Sequence, residues 1–383
     1  MSLSKSRFIE MFDLYKEKKL SEVAEIIMGQ SPDSNSYNNT EMGLPFYQGK
    51  TEFSDKYIGS PVTWCSSPCR IAEKNDILMS VRAPVGDVNI ATEKCCIGRG
   101  LASIRPLDGE STFLFYALKL KKAEIASKGN GSTFKAINKE TVHSITIPDV
   151  PQELKVKFSM FAEQIDKSKF LLQKILEKLE LLKKSRFIEM FGRLGCDDKK
   201  WGMVSLGEFC SLNPQKSELN NISDDTEVSF LPMSSVSENG ELTLSERKQY
   251  GEVKSGFSYF ADGDVLFAKI TPCMENGKGA VAKGLCNNIG FGSTEFHVLR
   301  VKTSVCNPYW LYELLSLRQF RKIAEQNMTG SAGQKRVPAK FLQNFKLSLP
   351  PIKLQNEYVS ISQQIDKSKL VIQKSLEDLV GKL

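Results

Sequence analysis

The chain has 383 residues, 41% hydrophobic and 25% charged, which is the composition of an ordinary globular protein with enough material for two or three domains. Its formal net charge of +7 permits an anionic partner, although a solvated basic surface would produce the same value. No apolar run approaches the roughly 20 residues of a membrane span, the N-terminus has no apolar signal core, and nine cysteines without framework spacing indicate reduced thiols, so we expect a cytoplasmic protein with no membrane partner.

An internal repeat is the strongest feature of the sequence. The octapeptide KSRFIEMF occupies residues 5–12 and again 184–191, and QIDKSK begins at Gln164 and again at Gln364. In the first copy the octapeptide starts 20 residues after the Gln, and in the second copy that spacing reaches just beyond residue 383. We therefore expect a two-fold repeat opened within one unit, with chain ends that meet.

The first repeat unit is predicted to contain short strands and one helix before a long helix. Short β-branched runs bounded by Gly, Pro, Asn and Asp indicate strands at 75–81 (NDILMSV) and 101–106 (LASIRP). The segment FLFYALKL at 113–120 is predicted to be helical. A Gly-Ser loop at 129–137 then leads to a strand at 144–148 that ends in proline.

The second unit repeats this order with looser sequence identity. It presents GDVLFAK at 263–269, EFHVLRV at 295–301, YWLYELLS at 309–316, MTGSAGQKRV at 328–337 and KLSLPP at 346–351. The offset between the two copies grows from 179 to 200 residues along the chain. The second unit therefore carries its extra residues almost entirely in its front part.

Two long amphipathic helices connect these elements. Apolar residues recur every seven positions, which is typical of helices that bury a stripe against one another. The predicted positions are Ile165, Leu172 and Leu179 with Phe161, Ile175 and Leu182 interleaved, and Ile365, Ile372 and Leu379 with Leu376 beside them. Two-fold symmetry makes the helices antiparallel. The alternative is two unrelated helices, each packed on its own domain.

The pattern as a whole predicts an α+β fold, with two small mixed globular domains separated by two long antiparallel helices in circular pseudo-two-fold symmetry. We expect a segment at 1–13 that completes the far end of the C-terminal helix, a first domain at 14–150, a helical spacer at 151–195, a second domain at 196–350 and a C-terminal helix at 351–383. A first helix of ~60 Å would span more than one DNA turn of ~34–36 Å.

Catalytic constellations are absent from the sequence. There is no P-loop, no G-x-G-x-x-G, no H-E-x-x-H and no convincing nucleophile–base pair. NPYW at 307–310 is better explained by Asn307 as a helix N-cap with Pro308 at the first helical position than as a methyltransferase loop. PDVPQELK at 148–155 fits a strand end and a helix start better than a nuclease site. We expect that the chain is not an enzyme.

A metal site is also disfavoured by the sequence. The candidate zinc ligands would be Cys65, Cys69, Cys95 and Cys96. Adjacent cysteines rarely ligate one metal, and the chain has only two histidines. We therefore expect ordinary thiols at these positions and no bound metal.

A series of short segments occurs in the same order twice, around the two heptad helices. They are LSEVAEIIMGQSP (20–32) and SLGEFCSLNP (205–214), FYQGKTEFSDKYI (46–58) and FLPMSSVSENGEL (230–242), DILMSVRAPVG (76–86), GSTFKAINKETVHSITIP (131–148) and GSAGQKRVPAKFLQNFKLSLPP (330–351). In this order they resemble the specificity subunit of type I restriction-modification systems over nearly all of the chain. The family often begins with its first recognition domain, whereas SKSRFIEMF precedes that domain here.

The resemblance implies a function and a set of partners. Two target-recognition domains would each read one half of a split target in double-stranded DNA, and two helical conserved regions would set the gap. Two methyltransferase subunits would methylate adenine N6 with S-adenosylmethionine after base flipping, and restriction subunits would use ATP and Mg. This chain would bind no cofactor and would not be catalytic.

Candidate DNA-reading residues follow from chemistry and position. Amides, guanidinium groups and small polar side chains suit base edges, and Lys or Arg suit phosphates. The candidates are Gln48, Lys50, Arg82, Ser132, Thr133 and Lys135 in the first domain, and Ser234, Lys269, Ser331, Gln334, Lys335 and Arg336 in the second. Gly131 and Gly330 fit close backbone approach to phosphate, or simply a tight turn.

Methyltransferase docking is predicted at the repeated octapeptide, because an identical segment in both copies lets one partner surface dock twice. Arg7 and Arg186 are the candidates, since the core is the alternative location for Phe8, Ile9, Met11 and Phe12. Two other classes of function stay open: a protein-binding scaffold and a stand-alone enzyme.

Overall fold

The computed structural model describes residues 14–129, 136–219, 222–331 and 333–381. They form two compact units: the first contains the chain up to Gln173 and from Gln373 onward, and the second is Lys174–Ile372. Residues 1–13, predicted to complete the far end of the C-terminal helix, lie outside the described residues. No helix in the described part of the chain is long and apolar enough to cross a membrane.

The helices are numbered in chain order. They are α1 Leu20–Val23, α2 Ser111–Leu120, α3 Lys122–Ser127, α4 Lys139–His143, α5 Gln152–Phe191, α6 Leu206–Phe209, α7 Tyr250–Val253, α8 Pro308–Ser316, α9 Arg318–Gln326, α10 Ala339–Asn344 and α11 Ile352–Val380. The helices predicted at 113–120 and 309–316 are confirmed as α2 and α8. Asn307 caps α8 by accepting a hydrogen bond from the backbone N–H of Tyr309 at 2.9 Å, with Pro308 in the first turn, as predicted.

Three sheets form the β structure of the first unit. Its strands are β1 Glu17–Lys19, β2 Ala24–Met28, β3 Tyr37–Asn38, β4 Leu44–Tyr47, β5 Thr63–Cys65, β6 Ile71–Ala72, β7 Ile77–Ser80, β8 Val88–Ile90, β9 Cys95–Ile97, β10 Leu101–Pro106 and β11 Thr146–Pro148. The sheet orders are β1-β11, β2-β10-β7-β8 and β3-β5-β4-β9-β6. Pairing is antiparallel except between β4 and β9.

The second unit repeats this arrangement. Its strands are β12 Met203–Ser205, β13 Cys210–Leu212, β14 Glu227–Leu231, β15 Arg247–Gln249, β16 Ser258–Ala261, β17 Val265–Ala268, β18 Gly279–Val281, β19 Ile289–Gly292, β20 Phe296–Val301 and β21 Lys346–Ser348. The orders β12-β21, β13-β20-β17-β18 and β15-β14-β19-β16 correspond to the sheets of the first unit, and β14 and β19 are again parallel. The predicted α+β class is confirmed.

The long helices match the prediction in length but not fully in phase. α5 has 40 residues and α11 has 29, which corresponds to ~60 Å and ~45 Å at 1.5 Å per residue. Within the second unit, Lys369 pairs with Glu180 at 2.8 Å and Lys183 pairs with Asp366 at 3.0 Å. The residue number therefore rises along α5 from Glu180 to Lys183 while it falls along α11 from Lys369 to Asp366, so these parts of the two helices run antiparallel.

The interleaved positions on α5 were predicted one residue too early. Ile175 and Leu182 are 43% and 53% exposed, whereas their successors Leu176 and Lys183 are partly buried. Lys183 is a charged residue at a stripe position, so a pattern of apolar residues does not include it. Its aliphatic stem lies in the interior while its ammonium group pairs with Glu313 at 2.6 Å. On α11 the predicted stripe is correct, with Ile365 7% exposed.

The second copy of the octapeptide contributes to the core. Phe187 and Phe191 are 3% and 5% exposed and pack against Trp310 and Tyr358. The ring centroids of Phe187 and Tyr358 are 5.2 Å apart, and those of Phe191 and Trp310 are 5.7 Å apart. Core packing is therefore the role of the phenylalanines that correspond to Phe8 and Phe12 of the first copy.

A buried carboxylate joins the central strands in each unit. Asp76, at the start of β7, accepts two hydrogen bonds from Arg105 of β10 at 2.8 and 2.9 Å. Asp264, at the start of β17, accepts two from Arg300 of β20 at 2.7 and 2.6 Å. Both carboxylates are 2% exposed. Such bidentate pairs hold the strands in register, and breaking them leaves a poorly solvated guanidinium group.

We expect Asp264→Asn to lower the free energy of unfolding of the second unit by about 2 kcal/mol, because Arg300 loses its buried bidentate partner and keeps only the more exposed carboxylate of Glu218. Hydrogen exchange at the amides of Leu266 and Val298, which face each other across β17 and β20, measures this locally. Asp225→Asn, at an exposed position, is the matched control. Unchanged exchange in Asp264→Asn would contradict the assignment.

Candidate nucleic-acid interface

The first unit brings its described candidates to one end of the sheet β2-β10-β7-β8. Gln48 directly follows β4, and its backbone oxygen accepts a hydrogen bond from the N–H of Gly100 at 3.2 Å. The oxygen of Gly100 accepts one from Val81 at 2.9 Å, beside Arg82. Lys50 reaches the same region through Asp87, which precedes β8. Three candidates from separate parts of the chain therefore lie at one sheet end.

Gln48 is exposed but already oriented. Its amide nitrogen donates to the hydroxyl of Ser31 at 3.0 Å. A Cβ atom at Gly98 would lie 2.9 Å from the backbone Cα of Gln48, so glycine permits this close approach of the two chain segments. The amide is thus held in place before any ligand arrives, and it keeps hydrogen-bonding capacity for a base edge.

Lys50 is not a free cation. Its Nζ lies 2.5 Å from Asp87, and Lys122 contacts the other carboxylate oxygen of the same residue. Burial raises the pKa of Asp87, but hydrogen bonds from Lys122 and Lys50 outweigh it and lower that pKa. A phosphate would therefore compete with an ionised carboxylate for Lys50, which weakens its contribution to binding.

Arg82 is exposed, and its backbone forms an antiparallel bridge with Ala136, at the end of the first Gly-Ser loop. Ile137 then donates its N–H to the oxygen of Val81 at 3.0 Å. The remaining first-domain candidates, Ser132, Thr133 and Lys135, together with Gly131, lie outside the described residues.

The second unit repeats this construction at the end of β17. The N–H of Lys269 donates to the oxygen of Glu295, and the N–H of Val337 donates to the oxygen of Lys269, both at 2.9 Å. Thr271 donates to the oxygen of Lys335 at 3.0 Å. The segment 333–336, which we call the second recognition segment, is therefore attached beside Lys269.

Arg336 has a partner within the protein. Its guanidinium group binds both carboxylate oxygens of Glu295, at 2.9 and 2.8 Å. Hydrogen bonds from Arg336 are the main cause that lowers the pKa of Glu295, so the pair is ionised at neutral pH. Arg336 therefore fixes the second recognition segment before it contacts any ligand.

Lys335 is more available than Arg336. It is exposed, and its ammonium group has no hydrogen bond or ion pair with any residue that the structure describes. Gln334, Ser331 and Ser234 are also exposed. Gln334 donates its N–H to the oxygen of Ser331 at 3.1 Å. The turn that carries Ser234 is linked to the same region, since Lys278 donates to the oxygen of Met233 at 3.3 Å.

Arg99 is a basic residue of this surface that the sequence interpretation missed. It lies on the turn between β9 and β10, adjacent to Gly100 and therefore close to the backbone of Gln48. It is exposed, and its side chain is unpaired among the described parts of the chain. The signal was present as Gly-Arg-Gly at 98–100, an arginine flanked by glycines directly before the predicted strand at 101–106.

Arg186, the described docking candidate, lies on α5 and is 37% exposed. It pairs with Glu189 one turn along the helix at 2.8 Å. An exposed ion pair of this kind is weak, so the guanidinium group can leave Glu189 and bind an acceptor on a partner protein. Arg7 lies outside the described residues.

The cysteines do not form a metal centre in the described part of the chain, where no group of His, Cys, Asp and Glu side chains could hold an ion. Burial raises the pKa of Cys95 to about 12 and that of Cys96 to about 11. Such thiols stay protonated at neutral pH and are poor metal ligands. All nine cysteines are unpaired thiols.

Comparison with known proteins shows one consistent family. The family described as "Type I restriction modification DNA specificity domain" matches residues 13–181 and 198–380. The specificity subunit of the type I restriction enzyme EcoEI of Escherichia coli is 38% identical over 184 residues, covering 46% of this chain and 30% of the relative. The EcoAI specificity subunit of the same species is 36% identical over 195 residues, covering 48% and 33%.

The alignments thus cover about a third of the length of these curated relatives. A solved structure matches along the whole chain: the S subunit of a type I restriction-modification system from M. genitalium covers 96% of this chain and 93% of that one, with a TM-score of 0.59 at 14% identity. At that identity the match supports the fold.

Proposed function

The chain belongs to the type I restriction modification DNA specificity family, and from this premise we propose that it is the sequence-specific, non-catalytic DNA-recognition subunit of a type I restriction-modification complex. The observation that carries the proposal is the repeated sheet end: both units present exposed amide and basic groups beside β7 or β17, and the second unit adds exposed serine hydroxyls. These are the groups that read base edges and bind phosphates. The family match also agrees with the resemblance noted in the sequence.

Each domain would read one half of a split target. We assign residues 14–150 and 196–350 to the two recognition domains, and 151–195 and 351–383 to the helical regions that set the gap. α5 is a continuous helix of 40 residues, ~60 Å long, which exceeds one turn of DNA at ~34–36 Å. A helix of this length suits half-targets that are separated by an unread spacer.

Catalysis would be performed by partner subunits. Two methyltransferase subunits carrying S-adenosylmethionine would flip out and methylate an adenine in each half-target. Restriction subunits using ATP and Mg would cleave DNA. This chain would supply recognition and docking surfaces, and its own basic residues would add the salt-dependent attraction to phosphates.

The central experiment is to co-express the chain with the methyltransferase subunit encoded alongside it in a methylation-free host and to map N6-methyladenine across the genome. We expect one split motif with a fixed spacer, because each domain would read its own half-target and the helical regions would set the gap between them. Expression of the methyltransferase alone is the control. Unmodified DNA despite a stable complex would contradict DNA recognition and favour a protein scaffold.

Lys335→Ala should weaken binding to DNA that carries the second half-target by roughly three- to tenfold and reduce the salt slope by about one, as expected for the loss of one phosphate contact. Arg336→Ala should also weaken binding. It should in addition speed hydrogen exchange in residues 333–337, because the second recognition segment loses the ion pair that attaches it to Glu295. Lys302→Ala is the matched control, since Lys302 lies beyond the opposite end of β20. Unchanged affinity of Lys335→Ala at moderate salt would remove Lys335 from the interface.

Arg99→Ala tests the first half-target in the same way. We expect a loss of similar size, roughly three- to tenfold, confined to DNA in which the first half-target is intact. Lys50→Ala should have a smaller effect, because Asp87 already occupies that ammonium group. If Arg99→Ala lowers the affinity equally for DNA with an intact and with an altered first half-target, Arg99 contributes only nonspecific attraction to DNA.

Arg186→Ala should lower the affinity for the methyltransferase subunit by roughly five- to thirtyfold if arginine at this surface acts as an anchor. Calorimetric titration of the full chain with that subunit measures the change. Arg193→Ala is the control, because Arg193 is an exposed arginine paired with Asp198 at 3.1 Å outside the octapeptide. Equal affinities for wild type and Arg186→Ala would exclude docking at this residue.

A further inference from the structure

His297 lies directly behind the second recognition segment. It is the second residue of β20, faces Phe267 of β17 in the register, and is 4% exposed. Its Nε2 lies 2.7 Å from the backbone oxygen of Val337, the residue that follows the segment. Its Nδ1 lies 3.4 Å from the side-chain nitrogen of Asn213. The imidazole thus connects the segment to the loop after β13.

These partners specify one protonation state. A carbonyl oxygen only accepts, so Nε2 carries the hydrogen and donates it to Val337. The amide oxygen of Asn213 accepts from the N–H of Val298 at 3.0 Å, which turns its NH2 group toward His297. The NH2 group donates, so Nδ1 must be the acceptor. The imidazole is therefore neutral, and a second proton on Nδ1 would face a donor.

The surrounding charges are few. Lys269 on the chain after β17 and Glu295 before β20 influence the imidazole with opposite signs, and Glu295 is itself bound by Arg336. Burial lowers the pKa of His297 below its ordinary value, Lys269 acts in the same direction, and the hydrogen bond to Val337 and the charge of Glu295 oppose them. The stabilisation from the neutral form is present above about pH 6.5 and is lost as pH falls through that value toward the lower folded pKa.

The first unit lacks this group. Ala102 faces Met79 in the register that corresponds to the pair of His297 and Phe267. Ile137 is attached to Val81 through the same backbone hydrogen bond as Val337 to Lys269. The backbone attachment is common to both units, whereas among the described residues a histidine supports this attachment in the second unit and Ala102 stands at the equivalent position of the first.

We propose that His297 is a positioning residue whose neutral imidazole joins Asn213 to Val337 and so keeps the second recognition segment against the sheet. A second proton on Nδ1 would leave the bond to Val337 in place but would face the NH2 group of Asn213, which favours displacement of the buried ring. Reading of the second half-target would therefore weaken at acidic pH, while reading of the first would not. The DNA part of this inference rests on the proposed function. The hold itself can be tested without DNA.

The first test uses the full chain labelled with 13C in histidine, which yields two signals because the chain has two histidines. His143→Gln assigns them. Hydrogen exchange of residues 333–337 is followed from pH 8 to pH 5, with Ala136 and Ile137 as the reference. We expect the protection factor of 333–337 to fall roughly fivefold, the equivalent of one lost hydrogen bond, as the pH falls from about 6.5 toward the lower pKa at which the His297 signal titrates.

His297→Gln is the decisive variant. A glutamine amide can donate to the oxygen of Val337 but does not gain a proton in this range, so we expect protection of 333–337 that does not change between pH 8 and pH 5. His297→Ala should show low protection at every pH. Protection in the wild type that is independent of pH, or that changes equally in His297→Gln, overturns the inference.

The second test measures affinity of the complex with its methyltransferase for duplexes in which either half-target is altered, at pH 7.5 and pH 5.5. Between pH 7.5 and pH 5.5, the affinity of the wild type for an intact second half-target should fall roughly fivefold more than that of His297→Gln. The affinity for the first half-target should change equally in the two proteins. Equal responses of wild type and His297→Gln overturn the positioning role while leaving DNA recognition intact. Absence of sequence-specific binding at every pH contradicts the proposed function itself. The hydrogen-exchange experiment contains no DNA, so it still tests the role of His297 in that case.

Discussion

The hydrogen bond that pins the end of each Gly-Ser loop to the end of the central strand is the constraint on which the candidate surfaces depend. Ile137 to Val81 and Val337 to Lys269 are equivalent bonds at 3.0 and 2.9 Å. A loop that presents side chains to a ligand loses conformational entropy on binding unless a rigid element already holds it. Here one backbone bond fixes the loop end, and the sheet supplies the rigidity.

The sheet in turn depends on the buried carboxylate at its other end. Asp76 with Arg105, and Asp264 with Arg300, hold the two strands that carry the loops in register. A shift of one residue would turn the strand faces over and move every loop attachment. The charge pair and the loop attachment therefore act on the same two strands from opposite ends.

On this common frame the two units differ in chemistry. The first places Arg99 beside Gln48 and neutralises Lys50 with Asp87, whereas the second pairs Arg336 with Glu295 and inserts His297 behind the segment. Under the proposed function, this is how a repeated fold reads two different half-targets. The formal charge of +7 is a poor guide to the binding surface, because several basic groups are already paired internally.

The sequence by itself determined the two-fold repeat, the main strands and helices of each unit in their order, the α+β class and the cap of α8, because hydrophobic periodicity, turn residues and capping are local properties of the chain. It also placed most candidate residues on loops that follow strands. The tertiary structure alone decided which of these side chains are available: Asp87 lies 37 residues from Lys50, and Glu295 lies 41 residues from Arg336. The phase of α5 and the roles of Arg99 and His297 were likewise invisible, since burial of a lysine stem, an unpaired guanidinium group and a hydrogen bond to a distant carbonyl arise only when separate segments pack together.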